Sequence, residues 1–174
     1  MRSFLLSILY MAALVSASSF AQSDVNFSGT LVEDPCTLAP EDSNITVDFG
    51  TVILKSLYTN KRTLPKLFAL HLIECDTSLG NTVHVTFSGV EDSEQPGLLA
   101  LDGTSGAKGV ALGLATLHGE PLPINQVSKA FALQDGNSVI HLMAYVQASD
   151  TAITNKTLVA GDFSAIATFD LSYD

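Results

Sequence analysis

Tryptophan is absent from the 174 residues of this chain, and only two cysteines and eight basic side chains are present. Without tryptophan there is no indole platform on which a sugar ring could stack. The 18 acidic side chains give a formal net charge of −10, which repels the phosphates of nucleic acids, so we expect no nucleic-acid partner. Hydrophobic residues are plentiful at 47%, which excludes a disordered chain and predicts a folded core.

Long hydrophobic runs are also missing, and the apolar run at the N-terminus is short. Arg2 precedes a mainly apolar stretch at residues 4–15, and Ser19-Phe20-Ala21 resembles an A-x-A cleavage site. The run is too short to span a bilayer and no later segment could do so, so we expect no transmembrane segment. We interpret residues 1–21 as a signal peptide for export; a buried N-terminal helix is the alternative.

Removal of residues 1–21 takes away one basic side chain, Arg2, and leaves 153 residues with seven basic and 18 acidic side chains. This length predicts one domain. In an oxidising compartment the two cysteines, Cys36 and Cys75, are most simply explained as a disulfide bond. Two free buried thiols are the alternative. A zinc site is a weaker explanation, because none of the four histidines has ligand spacing with either cysteine.

Alternating apolar residues predict β-strands along the whole exported chain. They occur at residues 25–31, 45–49, 68–75, 83–87, 110–114, 140–146 and 163–173. One helical turn is predicted near residues 54–58, and Asp135-Gly136 predicts a hairpin turn between the apolar stretches on either side of it. Many short strands in one secreted domain indicate an antiparallel β-sandwich.

No arrangement of residues predicts catalysis. No serine lies in a G-x-S-x-G motif, and no glycine-rich phosphate loop is present. The adjacent carboxylates Glu41-Asp42 lie in a polar stretch, which favours a solvated surface. The histidines in or beside strands are interpreted as sheet residues: His71, His84 and His141. We therefore expect no enzyme, no cofactor and no bound metal.

The two ends of the exported chain are the informative features, because both alternate to within a few residues of the terminus. An exposed strand edge promotes aggregation, and monomeric proteins usually blunt it with lysine, proline or a bulge. No lysine, arginine or proline follows Gly161. The C-terminal strand is therefore either central in its sheet or paired with a strand from another molecule.

The order of several short motifs resembles that of the pilin subunits of chaperone–usher fimbriae of Gram-negative bacteria. The motifs are DVNFSGTLVEDPC before and including the first cysteine, FALHLIEC ending at the second, VTFSG, GVALGLATLHGEPL, and the closing AGDFSAIATFDLSYD. In the last motif Tyr173 is penultimate and Gly161 is fourteenth from the end, as in that family. Singly these motifs are weak, but their order and end-distances cover the whole exported chain.

The resemblance implies an incomplete immunoglobulin-like β-sandwich that lacks its last strand. A donor strand from a periplasmic chaperone, or from a neighbouring pilin subunit in the fibre, would complete it by strand addition. Residues 22–35 would then be an N-terminal donor segment that merges into the first strand, and residues 36–174 the pilin domain. The implied function is a structural subunit of a surface fimbria that supports cell adhesion, with an outer-membrane usher as a further partner.

The resemblance also implies roles for individual residues. The donor residues would be Val25, Phe27, Gly29 and Leu31, with Gly29 in a pocket too shallow for a side chain. The groove that accepts a donor, and that binds the chaperone, would be lined or flanked by Gly161, Phe163, Ala165, Ala167, Phe169, Leu171 and Tyr173. The Asp174 carboxylate would meet basic residues of the chaperone.

The donor segment is short, because only residues 22–24 precede its alternating pattern. This length resembles a minor or adaptor subunit more than a rod-forming one, and a terminator or anchor subunit stays open. A tip adhesin is disfavoured, because 153 residues cannot hold a second, lectin domain. The alternative function is a stand-alone secreted β-sandwich that binds carbohydrate, followed by a secreted hydrolase.

Overall fold

The structure is a computed structural model that describes residue 25, residues 27–29, residue 31 and residues 33–174. The chain divides into two units, Met1–Val32 and Glu33–Asp174. Every strand and helix assigned within the described residues belongs to the second unit. The signal peptide predicted for residues 1–21 lies outside the described residues.

The second unit is built mostly of β-strands, as the alternating sequence predicts. Its elements in chain order are β1 Thr37–Leu38, a 3₁₀ turn Pro40–Ser43, α1 Leu54–Asn60, β2 Lys66–Cys75, β3 Thr82–Ser88, β4 Val110–Thr116, β5 Phe131–Ala132, β6 Gly136–Ala148, α2 Asp150–Asn155 and β7 Thr168–Tyr173. The helical turn predicted near residues 54–58 is confirmed by α1. Helix α2 is not predicted; the Ser149 hydroxyl caps it by accepting the Ala152 N–H at 3.0 Å.

The strands form two antiparallel sheets. The first has the order β1-β2-β6-β4 and the second the order β5-β3-β7. In the first sheet Leu70 lies opposite Ile140, and in the second Phe87 lies opposite Phe169. Both β2 and β6 have strands on each side, whereas among the described residues β7 has a neighbour on one side only.

The main core lies between the two sheets and takes one face of each strand. Leu70, Leu72 and Leu142 from the first sheet and Val83 and Val85 from the second are all 1% exposed or less. A smaller cluster near the helices contains Leu57, Ala148, Ala152 and Leu158. Burial of these aliphatic side chains supplies most of the driving force for folding.

A disulfide bond joins Cys36 and Cys75, which are 39 residues apart in the chain. The bond ties the segment before β1 to the end of β2 and is buried at the margin of the main core. The predicted disulfide is therefore confirmed, and the alternatives of free thiols or a zinc site are wrong. On the chain-entropy account, closing a loop of this length contributes about 4 kcal/mol to stability.

Two expectations about loops are wrong. Asp135-Gly136 does not close a hairpin, because β5 pairs with β3 whereas β6 pairs with β2 and β4. The turn instead carries the chain from one sheet to the other. Asp42 is not solvated but 7% exposed, and its carboxylate accepts the His71 N–H and contacts the His71 ring Nδ1 at 2.9 Å. It thereby satisfies a backbone donor of β2 that strand β1 is too short to reach.

Candidate functional site

The C-terminal segment that the sequence predicts as one strand has two parts. Strand β7 begins at Thr168, and residues 161–167 are extended but belong to no strand. The side chains nevertheless alternate through both parts. From Phe163 onwards the odd-numbered ones are half-buried and the even-numbered ones are exposed. From Ala165 onwards the half-buried ones pack against the main core. We call the half-buried set the C-terminal edge: Phe163, Ala165, Ala167, Phe169, Leu171 and Tyr173.

The backbone of the C-terminal edge has one free side. Asp174 and Thr82 exchange both backbone hydrogen bonds across β7 and β3. In an antiparallel pair such residues alternate with ones whose N–H and C=O point away from the partner strand. The even-numbered residues of β7 therefore bond to β3, and the odd-numbered ones face outwards. Before β7, the carbonyls of Asp162 and Ser164 accept from the loop at residues 102–107 in the same even-numbered pattern.

A second extended segment flanks this edge. At residues 45–49 the apolar side chains Ile45, Val47 and Phe49 are half-buried in alternation, but the strand predicted there is not formed. Among the described residues, this segment forms no backbone-to-backbone hydrogen bond. The Phe49 and Phe163 rings contact each other, with centroids 6.1 Å apart. Two segments with alternating apolar side chains, neither of them part of a strand, thus meet at Phe49 and Phe163.

An apolar cavity of about 70 Å³ lies at the beginning of the C-terminal edge. Because a water molecule needs roughly 10–15 Å³ on this measure, the cavity has room for an aliphatic side chain. It is lined by Val52, Leu54, Leu57, Ala107, Val110, Val146, Leu158, Val159, Ala160, Gly161 and Phe163. Because Phe163 of the C-terminal edge lines the cavity, a strand added along this edge could place a side chain in it.

Gly161 lies at the start of the edge for a steric reason. A Cβ at this position would be 2.6 Å from the carbonyl carbon of Gly106 and 2.7 Å from the nitrogen of Ala107. Real side chains do not approach backbone atoms so closely. Gly161 therefore permits close contact between the C-terminal segment and the loop before β4, rather than facing a partner itself.

Tyr173 and Asp174 form the other end of the edge. The Tyr173 hydroxyl donates to the carbonyl of Cys36 at 3.4 Å, which links β7 to the disulfide region. Burial, followed by the nearby Asp34 carboxylate, raises the pKa of Tyr173. The Asp174 side chain is 74% exposed and its carboxylate lies 2.8 Å from His84 Nε2. Asp174 is predicted from the sequence as a site residue. His84 is not, because no motif marks it.

The four donor candidates lie in the first unit. Val25, Phe27 and Leu31 are 71%, 93% and 100% exposed, and no atom would lie within 4 Å of a Cβ added to Gly29. Three large apolar side chains within seven residues are therefore exposed to water.

The remaining described residues offer little other chemistry. Within residues 25–174, so far as the structure describes them, no group of three or more histidine, cysteine or carboxylate side chains could hold a metal ion. No helix in the same residues is long and apolar enough to cross a membrane. The geometry that stands out is an all-β domain with one strand position open.

An all-β sandwich with an open edge strand is a class of domain to which an extended segment of another chain can be added. Comparison with known proteins gives the family. The family model described as "Fimbrial protein" matches residues 25–174. The chain is 31% identical to the Fimbria A protein of Serratia marcescens over 94% of this chain and 91% of that protein. It is also 31% identical to the fimbrial adapter PapK of Escherichia coli, over 95% and 96% of the two chains.

Solved structures agree with this family match. A structure of a chaperone–usher pilus, described as showing the basis of rod uncoiling, matches with a TM-score of 0.70 and 25% identity. The match covers 89% of this chain and 97% of that one. The chain therefore belongs to the fimbrial protein family and is a structural subunit of a chaperone–usher fimbria, a surface fibre of Gram-negative bacteria, and not an enzyme. The predicted family and the predicted sandwich fold are confirmed.

Proposed function

We propose that this chain is a minor or adaptor pilin that is polymerised by donor-strand exchange and supports cell adhesion. Residues 1–21 would direct export and be removed, and a periplasmic chaperone and an outer-membrane usher would handle the exported subunit. The observation that carries the proposal is the C-terminal edge. Its side chains are half-buried against the core while the outward side of its backbone has no strand beside it among the described residues.

Strand addition accounts for both properties of the C-terminal edge. A donor strand would supply hydrogen-bond partners for the outward N–H and C=O groups, and its alternate side chains would cover the half-buried apolar ones. The apolar cavity beside Phe163 would accept one of those side chains. The exchange of one donor for another needs no nucleotide hydrolysis if the second donor buries more apolar surface than the first. Burial of apolar surface contributes roughly 25 cal/mol per Å² to the free energy.

The proposed donor of this subunit is residues 25–31, inserted into a neighbouring subunit. Val25, Phe27 and Leu31 would bury side chains that are otherwise exposed to water. Gly29 would allow close approach where the acceptor is too shallow for a side chain. The exposed carboxylate of Asp174 would meet basic residues of the chaperone.

The first experiment compares the exported chain, residues 22–174, expressed alone and with a fimbrial chaperone. We expect the lone chain to be recovered poorly and to unfold without a cooperative transition, because its core is incomplete. Co-expression should give a soluble one-to-one complex. A lone chain that is a stable, cooperatively folding monomer would show that no strand is missing.

The second experiment tests the donor face with Gly29→Leu and, as a matched control, Ser28→Leu on the opposite face. Gly29→Leu should block insertion into the next subunit while leaving the chaperone complex intact. Ser28→Leu should have little effect, because adjacent residues of a strand point to opposite faces. If Gly29→Leu and Ser28→Leu insert equally well, the donor face is assigned wrongly.

The proposed position in the fibre, that of a minor or adaptor subunit, is supported by the short segment before Val25 and by the resemblance to an adapter protein. Quantitative mass spectrometry of purified fimbriae tests it. We expect only a few copies of this subunit for each fibre, beside an abundant rod subunit. If this chain proved to be the abundant component, it would instead be the rod subunit. A stand-alone carbohydrate-binding module has no observation in its favour.

A further inference from the structure

His84 lies on β3 opposite Ser172 and contacts two hydrogen-bond acceptors at once. Its Nδ1 is 2.8 Å from the carbonyl oxygen of Ser128, and its Nε2 is 2.8 Å from Oδ2 of Asp174. A carbonyl oxygen and an ionised carboxylate can only accept hydrogen bonds. Both ring nitrogens must therefore carry a proton for both contacts to exist, which means that the ring is an imidazolium cation.

The backbone and the side chain of Asp174 are held in different ways. The Asp174 N–H donates to the Thr82 carbonyl at 3.1 Å, and its main-chain oxygen accepts the N–H groups of Asn81 and Thr82 at 3.1 and 3.4 Å. The groups that form these bonds do not themselves titrate near neutrality. The side-chain carboxylate is 74% exposed, and among the described residues only His84 forms an ion pair with it.

Few other charged groups surround the ring. On β3 its neighbours on the same face are Thr82 and Thr86. Lys129 follows Ser128, but its ammonium lies 2.7 Å from a carboxylate oxygen of Glu120. Asp170 on β7 lies opposite Thr86, two residue pairs away from Ser172 and on the same face of the strand. Asp174 is therefore the charged group that decides how His84 behaves.

We propose that His84 is a pH-dependent positioning residue for the C-terminal residue of this subunit. As an imidazolium it joins the loop at Ser128 to the end of β7 by binding the Asp174 carboxylate. As a neutral ring it keeps the Nδ1–H bond to Ser128 and turns a lone pair towards Asp174, so the carboxylate is released. His84 thus decides whether this carboxylate is bound internally or is free for a cationic partner.

The sign of the pH dependence follows from the contacts. The Ser128 carbonyl, followed by the Asp174 carboxylate, raises the pKa of His84 above its usual value. A group whose pKa is higher in the folded state stabilises that state most below its unfolded pKa. The His84–Asp174 contact is therefore complete in mild acid and is lost as the pH rises through the raised pKa of His84.

An NMR titration of the His84 ring tests the proposal on residues 22–174, either free or with a donor strand from a neighbouring subunit, since a chaperone would itself bind Asp174 in the proposed function. Asp174→Asn keeps the size of the side chain but removes its charge. We expect it to lower the pH midpoint of the His84 ring, because the carboxylate favours the imidazolium. An unchanged His84 midpoint in Asp174→Asn would refute the proposal.

Hydrogen exchange gives a second test. If His84 had a purely structural role, the protection factor of the Asp174 amide would not depend on the protonation state of its ring. We expect the protection factor of the Asp174 amide to fall as the pH passes the His84 midpoint in the wild-type chain. His84→Ala should remove that step, and the control His141→Ala should keep it. The same pH profile in His84→Ala and in the wild type would overturn the proposal. Because the contact lies within one chain, the outcome does not depend on whether the chain needs a donor strand.

Discussion

Strands β6 and β7 have the same alternating sequence pattern but very different burial. The core-facing residues of β6, Ile140, Leu142, Ala144 and Val146, are at most 5% exposed. The corresponding residues of β7 and of the segment before it are only half-buried. The difference lies in the neighbours, because β6 pairs on both sides with β2 and β4, whereas in the part of the chain that the structure describes β7 pairs only with β3. Alternation shows which face of a strand meets the core, but not whether both edges are paired.

The comparison also explains why an exposed edge is retained. Soluble proteins usually protect an edge strand with charge, proline or a bulge. The C-terminal edge has none of these on its core-facing side, so its half-buried apolar residues would favour association. In a fimbrial subunit that tendency fits assembly, and the proposed donor strand is what would bring β7 to the burial that β6 already has.

The largest expected effect comes from giving β7 the neighbour that β6 has. A second copy of residues 25–31, fused after Asp174 through a flexible Gly/Ser linker, should yield a monomer that unfolds cooperatively. Burial of Val25, Phe27 and Leu31 would contribute about 1.5–3 kcal/mol for each side chain. Circular dichroism during heating measures the transition.

A matched fusion carrying Val25→Ser, Phe27→Ser and Leu31→Ser in the added copy is the control. It should be no more stable than the chain without the added segment. Equal stability of the two fusions would mean that the added side chains do not enter the C-terminal edge.

The disulfide should have the next largest effect, because it fixes β2, the neighbour of β6, and contacts β7 through Tyr173. Cys36→Ala together with Cys75→Ala should lower the free energy of unfolding by about 4 kcal/mol. Urea denaturation of the complemented fusion measures the loss, and recovery of the chaperone complex should fall as well. Reductant should reproduce the loss in the wild type and leave the double variant unchanged; a wild type insensitive to reductant would contradict a structural bond.

One leucine-to-alanine substitution on each strand compares the burial of β6 and β7 directly. Leu142→Ala on β6 removes a fully buried side chain and should cost about 2–5 kcal/mol. Leu171 on β7 is only half-buried in the chain alone. In the fusion with the added donor, we expect Leu171→Ala to cost nearly as much as Leu142→Ala in urea denaturation, because the donor covers it. A cost less than half that of Leu142→Ala in this fusion would show that the donor does not cover β7.

The smallest effect concerns the start of the C-terminal edge. Gly161→Ala should destabilise the chain by about 1–3 kcal/mol, because its methyl group would meet the backbone of Gly106 and Ala107. Gly103→Ala, where no atom would lie within 4 Å of the new methyl group, is the control. Thermal unfolding of the fusion measures both. A Gly161→Ala variant as stable as Gly103→Ala would mean that the loop before β4 moves freely.

Much of the fold could be predicted from the sequence, for local reasons. The two-residue period of β2, β3, β4 and β6 is visible without knowledge of their partners, since successive side chains of a strand point to opposite faces. The disulfide followed from two cysteines in an exported chain. For the C-terminal edge the same period identified the half-buried residues, although it did not show that residues 163–167 lack a strand partner.

The residues that the sequence did not reveal act through distant contacts. Asp42 satisfies a backbone donor on β2 that is 29 positions away, and His84 meets Asp174 across 90 positions. Asp135-Gly136 has the composition of a hairpin turn, but its flanking strands lie in different sheets. Turn composition reports the local bend of the chain and not which strands then pair.

The sequence by itself determined the all-β class, the disulfide and the face that each strand turns to the core, because these depend on residue type and short-range periodicity. Only the tertiary structure decided which edges are paired. Pairing brings together segments that are far apart in the chain, such as β3 and β7, and leaves the outward side of β7 without a neighbour. It also placed His84 beside Asp174, since the register of two antiparallel strands sets which distant side chains meet.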